Sequence, residues 1–137
     1  MQDAVGRFVR ERARLACEYC QLAQANTCIP HEIDHVIAAK HHGRTSEENL
    51  ALSCFCCNSF KGPNIAGIDP DSGNLTRLFH PRQDAWSKHF RWQGPFLIGT
   101  TAIGRTTIDV LGINSGDCVE LRASLIREGR FPPATPG

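Results

Sequence analysis

The sequence lacks a long apolar run, because charged residues interrupt every hydrophobic stretch. A transmembrane helix needs about 20 consecutive apolar residues. The N-terminal stretch MQDAVGRFVRERARLA carries charges where a signal peptide would have its apolar segment. We therefore expect an intracellular, cytoplasmic protein that does not contact a membrane.

A strong net charge is also absent. The 15 Lys and Arg residues oppose 14 Asp and Glu, which leaves a net charge of +1. Proteins that bind nucleic acid usually carry a basic footprint, which would here have to come from local clustering. The visible cluster consists of four N-terminal arginines, Arg7, Arg10, Arg12 and Arg14. The more common role of such arginines is a solvated helix face, with DNA contact as the alternative.

Internal repeats and low-complexity tracts are absent as well. A chain of 137 residues predicts a single domain, residues 1–137, with a modest hydrophobic core. The oligomeric state cannot be inferred from these features.

Cysteine, by contrast, is abundant, with seven residues in the chain. Four of them form two C-x-x-C pairs, Cys17-Glu-Tyr-Cys20 and Cys54-Phe-Cys56-Cys57. Two such pairs close together in sequence predict a tetrahedral structural Zn²⁺ site, the alternative being buried thiols without metal. An odd total fits a reducing compartment better than a disulfide framework. Cys28, Cys56 and Cys118 are then small core or loop residues.

The apolar pattern predicts an α+β fold. Its first half reads as a helix over 3–16, a strand over 31–37, a polar turn over 39–48, a strand over 50–53 and a helix over 55–61. Residues 62–81 are rich in Gly, Pro, Asp and Asn and predict an ordered surface loop. The remainder predicts a helical turn over 82–89, a hairpin of 89–93 with 96–100, and helices over 102–111 and 116–129. Trp86, Phe90 and Trp92 are expected in the core.

A set of polar residues lies between and just after the cysteine pairs. It comprises Asp34-His35, Asn49-Leu50, Cys57-Asn58 and Lys61-Gly62. Asn49 follows His35 by 14 positions, and Asn58 follows after another nine. This pattern resembles the zinc-containing HNH endonucleases, with motif detail over residues 17–62 and an accessory part over 63–137. The segment GPNIAGIDPDSGNLTRLFHPR, followed by WSKHF, is also similar to a tail of small bacterial HNH proteins.

The resemblance implies a ββα-metal core, a hairpin followed by a helix, with the zinc as scaffold. It implies that His35 is the general base, since an imidazole titrates near neutral pH and can take a proton from water. Asp34 and Asn58 would supply oxygen ligands to a catalytic Mg²⁺ or Mn²⁺. Asn49 corresponds to the middle asparagine of the family and would steady His35. Lys61 would bind a substrate phosphate.

Several residues stay open on the sequence alone. Glu32 shares the strand face of Asp34 and is either a third metal ligand or a solvated charge. Surface loop roles are the more common ones for His41 and His42. His80 and His89 fit nucleic-acid contact and a structural role equally well.

The implied function is metal-dependent hydrolysis of phosphodiester bonds, with DNA as the expected substrate. The first alternative is a non-catalytic zinc module that binds nucleic acid or protein. The second is an RNA-directed or toxin-like nuclease, since this chemistry acts on the phosphate and does not distinguish the sugar.

Overall fold

A computed structural model describes residues 3–133. The predicted domain limits, residues 1 and 137, lie outside this range. In order, the helices and strands are α1 (Ala4–Arg12), β1 (Glu32–His35), β2 (Leu50–Ser53), α2 (Phe55–Lys61), β3 (Ala66–Ile68), β4 (Leu75–Arg77), α3 (Trp86–His89), β5 (Phe90–Gln93), β6 (Phe96–Gly99), α4 (Ala102–Val110) and α5 (Gly116–Arg127). The predicted α+β class and the strand–strand–helix order are confirmed.

The β1–β2 hairpin and α2 form the centre of the first half. The two strands are antiparallel, with Glu32 opposite Ser53 and His35 opposite Leu50. Helix α2 begins directly after β2, and its N-cap is Cys54, whose sulfur accepts a hydrogen bond from Cys57 N. A predicted zinc ligand, Cys54, therefore lies at the junction between strand and helix.

Helix α1 is shorter than the predicted 3–16 segment. Its N-cap is Asp3, whose carboxylate accepts from Gly6 N at 2.9 Å, and the helix ends at Arg12. Arg14 and Leu15 adopt left-handed backbone, with φ of 56° and 57°, which a helix cannot continue through. This reversal turns the chain toward Cys17.

The predicted loop over 62–81 contains a hairpin that the sequence pattern did not reveal. Strands β3 and β4 pair antiparallel, with Gly67 opposite Thr76. Asp69, in the connection, is fully buried and accepts two hydrogen bonds from Arg105 of α4, each at 3.0 Å. A contact across 36 residues thus fixes this short hairpin.

The main core joins the cysteine region to the C-terminal half. Its fully packed members include Tyr19, Leu78, Phe79, Phe90, Leu97, Leu111, Ile113, Leu125 and Phe131. Trp86 and Trp92 pack against it, as expected. Helix α4 approaches closely because Gly104 has no side chain, since a Cβ there would lie 2.1 Å from His89 O.

Within residues 3–133, no helix combines the length and the apolar character that crossing a bilayer would require.

Candidate active site and metal centre

The two cysteine pairs meet in one buried cluster. The sulfur atoms of Cys17, Cys20, Cys54 and Cys57 all lie within 4.8 Å of one another. Each of these residues is at most 5% exposed. Four convergent, buried thiols are the donor set of a closed, tetrahedral zinc site. The cluster fits the structural zinc that the spacing predicts.

The ionisation of these thiols also fits a metal. Burial acts to raise the pKa of Cys17, but hydrogen bonds from the other three thiols outweigh it and lower that pKa well below its ordinary value. The same contact with Cys17 raises the pKa of Cys20 and of Cys57 well above the ordinary value. Without a cation, the thiolate of Cys17 is therefore favoured over those of Cys20 and Cys57. Bound Zn²⁺ would supply the positive charge that allows all four to ionise.

Each of the two chain segments that carry the cysteine pairs also contributes one side chain that contacts Asp34. Tyr19, between Cys17 and Cys20, donates its hydroxyl to Asp34 Oδ2 at 2.7 Å. Lys61, at the end of α2, places Nζ 3.3 Å from each carboxylate oxygen. Burial raises the pKa of Asp34 above its ordinary value, against the opposing effects of Lys61 and Tyr19. In the sequence, only the position of Tyr19 between Cys17 and Cys20 points to this role.

The position of Lys61 differs from the expected one. Its side chain is 1% exposed, and Nζ also donates to the backbone oxygens of His35 at 3.2 Å and Val36 at 3.0 Å. An ammonium group held in this way inside the protein is not placed to contact a substrate phosphate. Lys61 instead ties α2 to the end of β1.

His35 is the last residue of β1 and is only partly buried. Its Nε2 lies 2.8 Å from Thr45 Oγ1. When Nε2 carries the proton and donates to Thr45, the lone pair of Nδ1 is the basic one. Neighbouring residues of a strand point to opposite faces, so the Asp34 side chain is buried while that of His35 stays partly accessible.

Asn58 projects from α2 beside β1. Its Nδ2 donates to Glu32 Oε2 at 2.8 Å. This hydrogen bond fixes which end of the amide faces Glu32 and leaves Oδ1 as the available oxygen. The sequence left two roles open for Glu32, a metal ligand or a solvated charge. The structure indicates a third role, which is to orient the amide of Asn58.

Asp34, His35 and Asn58 line one open cleft, together with Ile33, Ala38, Ala39, Gly62 and Pro63. One carboxylate and one amide oxygen are hard donors, and Mg²⁺ commonly takes one or two protein ligands plus waters and phosphate oxygens. The donor chemistry of the cleft therefore fits a divalent cation, although Asp34 already accepts hydrogen bonds from Tyr19 and Lys61.

Asn49 acts on the backbone. Its Oδ1 accepts from Ile37 N at 2.9 Å, while Nδ2 donates to Ile37 O at 2.9 Å and to Arg44 O at 2.8 Å. These bonds hold the segment that follows His35. The proposed steadying of His35 by Asn49 would act through these backbone contacts.

Three of the remaining histidines lie in the protein interior. His31, His80 and His89 are buried, with exposures of 1%, 7% and 5%. His80 accepts from Arg82 N, and His89 packs edge-on against Phe79. These contacts favour structural roles.

The zinc assignment predicts different outcomes for two neighbouring cysteines. Cys57→Ser removes a buried ligand, so we expect loss of stoichiometric zinc and a large fall in Tm. Cys56→Ser changes an exposed thiol on the same helix and should preserve both. Zinc quantification by mass spectrometry and thermal unfolding test this. A Cys57→Ser protein that keeps full zinc content would contradict the assignment.

The buried Lys61–Asp34 pair predicts a stability effect. Lys61→Met leaves Asp34 buried without its cation, so the free energy of unfolding should fall by about 3 kcal/mol or more. Lys88→Met, at an exposed position, should change stability by less than about 0.5 kcal/mol. Urea unfolding of both variants measures this. Unchanged stability of Lys61→Met together with weakened phosphate binding would restore the role expected from the sequence.

Comparison with known proteins supports the family resemblance. The family model "HNH endonuclease" matches residues 17–64, a segment that holds both cysteine pairs and all the cleft residues named above. The Septu protein PtuA of Bacillus mycoides (strain KBAB4) is 27% identical over 96 residues, which cover 62% of this chain and 14% of that protein. The chain thus spans only a small part of the length of this relative. No solved structure matches.

A nuclease family model, a buried four-cysteine cluster and a ββα core coincide over the same residues. HNH domains are in general endonuclease domains that act on nucleic acid. Over residues 17–64, this chain matches the HNH endonuclease family.

Proposed function

We propose that the protein is a metal-dependent endonuclease that hydrolyses phosphodiester bonds, with DNA as its main substrate. The observation that supports this most is the shared cleft of Asp34, His35 and Asn58. A carboxylate, an imidazole and an amide oxygen at one accessible surface are the groups that cation-assisted hydrolysis requires.

His35 supplies the base. With Nε2–H donated to Thr45 Oγ1, Nδ1 is free to accept a proton from a water that attacks phosphorus. Thr45 keeps the ring in one orientation, and Asn49 holds the backbone between them through Ile37 and Arg44. The imidazole of His35 would therefore accept the proton in a fixed orientation.

Asp34 and Asn58 would hold the divalent cation, Mg²⁺ or Mn²⁺. When bound, such a cation neutralises charge on the phosphate and stabilises the leaving oxygen. Glu32 keeps the amide of Asn58 turned so that Oδ1 is available. Tyr19 and Lys61 fix the Asp34 carboxylate at the base of the cleft.

One observation favours a second candidate, a non-catalytic zinc module that binds nucleic acid. Both oxygens of Asp34 already accept hydrogen bonds inside the protein, which lowers their availability to a cation. In that case the zinc cluster and the fold would persist, and nucleic acid would bind without being cleaved.

The proposal predicts that zinc-loaded protein nicks plasmid DNA only when Mg²⁺ or Mn²⁺ is added. His35→Ala should lose at least about a hundredfold in rate, as expected for loss of a general base, with unchanged zinc content and Tm. Gln83→Ala, at an exposed position outside the cleft, is the matched control and should cut like the wild type.

Three outcomes are informative. Cleavage by His35→Ala at the wild-type rate would contradict the role of His35. Binding without cleavage in every metal would favour the zinc module. Parallel assays on single- and double-stranded DNA and RNA distinguish the RNA-directed alternative, which predicts faster cleavage of RNA.

A further inference from the structure

The segment that follows β1 forms a distinct surface loop. Residues 38–45, with the sequence AAKHHGRT, are called the 38–45 loop here. It contains a short 3-10 turn over Ala39–His41, after which His42 adopts left-handed backbone with φ of 69°. The Gly43 N–H then donates back to Ala38 O at 3.0 Å, which closes the loop.

The loop is held by the protein at its base. Asn49 bonds both Ile37, just before the loop, and Arg44, near its end. Gly43 packs so tightly that a Cβ would lie 1.6 Å from Ile37 O and 2.8 Å from Asn49 Nδ2. Only glycine fits this approach. The side chains between these anchors are therefore presented from a defined backbone.

The loop lies on the rim of the cleft. Ala38 and Ala39 line the cleft beside Asp34 and His35. At the other end of the loop, Thr45 Oγ1 is 2.8 Å from His35 Nε2. Both ends of the loop thus touch the proposed catalytic surface, and the exposed side chains lie between them.

Within residues 3–133, the positive charge of the loop is not neutralised by an ion pair. Lys40 and Arg44 are exposed, and residues 38–46 contain no acidic residue; Glu47 and Glu48 come only in the next turn. Among the hydrogen bonds and ion pairs within residues 3–133, none involves the side chain of Lys40 or Arg44.

Cations elsewhere in the described chain are often committed to internal partners. Ion pairs form between Arg77 and Asp84, Arg82 and Glu18, Arg105 and Asp69, and Arg130 and Glu128. Lys61 is buried against Asp34. The charge of Lys61 is therefore committed inside the protein, whereas Lys40 and Arg44 are exposed on a loop that borders the cleft.

We propose that the 38–45 loop is the phosphate-binding element of the substrate site, with Lys40 and Arg44 contacting backbone phosphates on either side of the one at His35. This inference rests on the proposed nuclease function. Contacts of this kind position a nucleic acid without reading its sequence. They require an anchored backbone and unpaired cations, and the 38–45 loop has both.

The test compares Lys40→Gln/Arg44→Gln with the matched control Lys88→Gln/Arg91→Gln. Both double variants remove two positive charges at exposed positions, and none of the four side chains forms an ion pair in the described residues. Binding of a short labelled DNA duplex is measured over a salt series, in the His35→Ala background and without added divalent cation. Cleavage kinetics are measured with His35 intact and Mg²⁺ present.

We expect the loop variant to bind the duplex roughly ten- to a hundredfold more weakly at low salt, with the slope of log K against log salt reduced by about 2. Its KM for cleavage should rise, while kcat should stay within about twofold of the wild type, since phosphate contacts hold substrate and transition state alike. The control should match the wild type in slope and in KM.

The failures are distinguishable. If the wild type cleaves DNA and the loop variant has an unchanged salt slope and KM, the inference is wrong and the nuclease function stands. If both variants weaken binding equally, the contact is diffuse and the inference is again wrong. If the wild type neither binds nor cleaves nucleic acid, the proposed function and this inference both fall.

Discussion

The convergence of four buried sulfur atoms is the constraint on which the rest of this fold depends. It joins the turn at residues 17–20 to the junction of β2 and α2, segments more than 30 residues apart in sequence. A chain of this size has a limited core, and a metal that binds only the folded state adds its binding free energy to stability. The thiol cluster lies against the main hydrophobic core, so metal binding and packing act on the same elements.

The cysteine cluster is linked to the proposed catalytic surface by two side chains close to it in sequence. Tyr19 comes from one arm of the cluster and Lys61 from the helix that continues the other arm, and both bind Asp34. A buried carboxylate without partners would be costly, and its pKa is raised by burial even here. The interior groups therefore fix the geometry of the cleft, while His35, Asn58 and the 38–45 loop face the solvent and carry out the proposed chemistry.

Much of this arrangement follows from sequence spacing, because the zinc ligands and the ββα order depend on local patterns. Residues 50–53 and 55–61 form the strand and the helix that were predicted. The burial of Lys61 does not follow from such patterns. A lysine is normally exposed, and its partner Asp34 lies 27 residues away. Thr45 is likewise identified only by its distance from His35.

The β3–β4 hairpin shows the same limit. Its strands have three residues each, and Ile68 and Leu75 are exposed apolar residues, so the segment has no clear alternation. What stabilises the hairpin is the long-range pairing of Asp69 with Arg105. Local sequence patterns predict the helices and strands that pack through a periodic apolar face. They do not predict an element that is stabilised by one polar contact to a distant residue.

We propose that the scaffold, stabilised by zinc, holds a second, exchangeable cation beside His35. Paramagnetic broadening by Mn²⁺ tests it directly, without any substrate. In the NMR spectrum of zinc-loaded protein, substoichiometric Mn²⁺ should broaden the His35 ring signals strongly and those of buried His80 and His89 much less, and Asn58→Ala should weaken the effect at His35. Equal broadening of all histidines, or full broadening of His35 in the Asn58→Ala variant, would contradict the account.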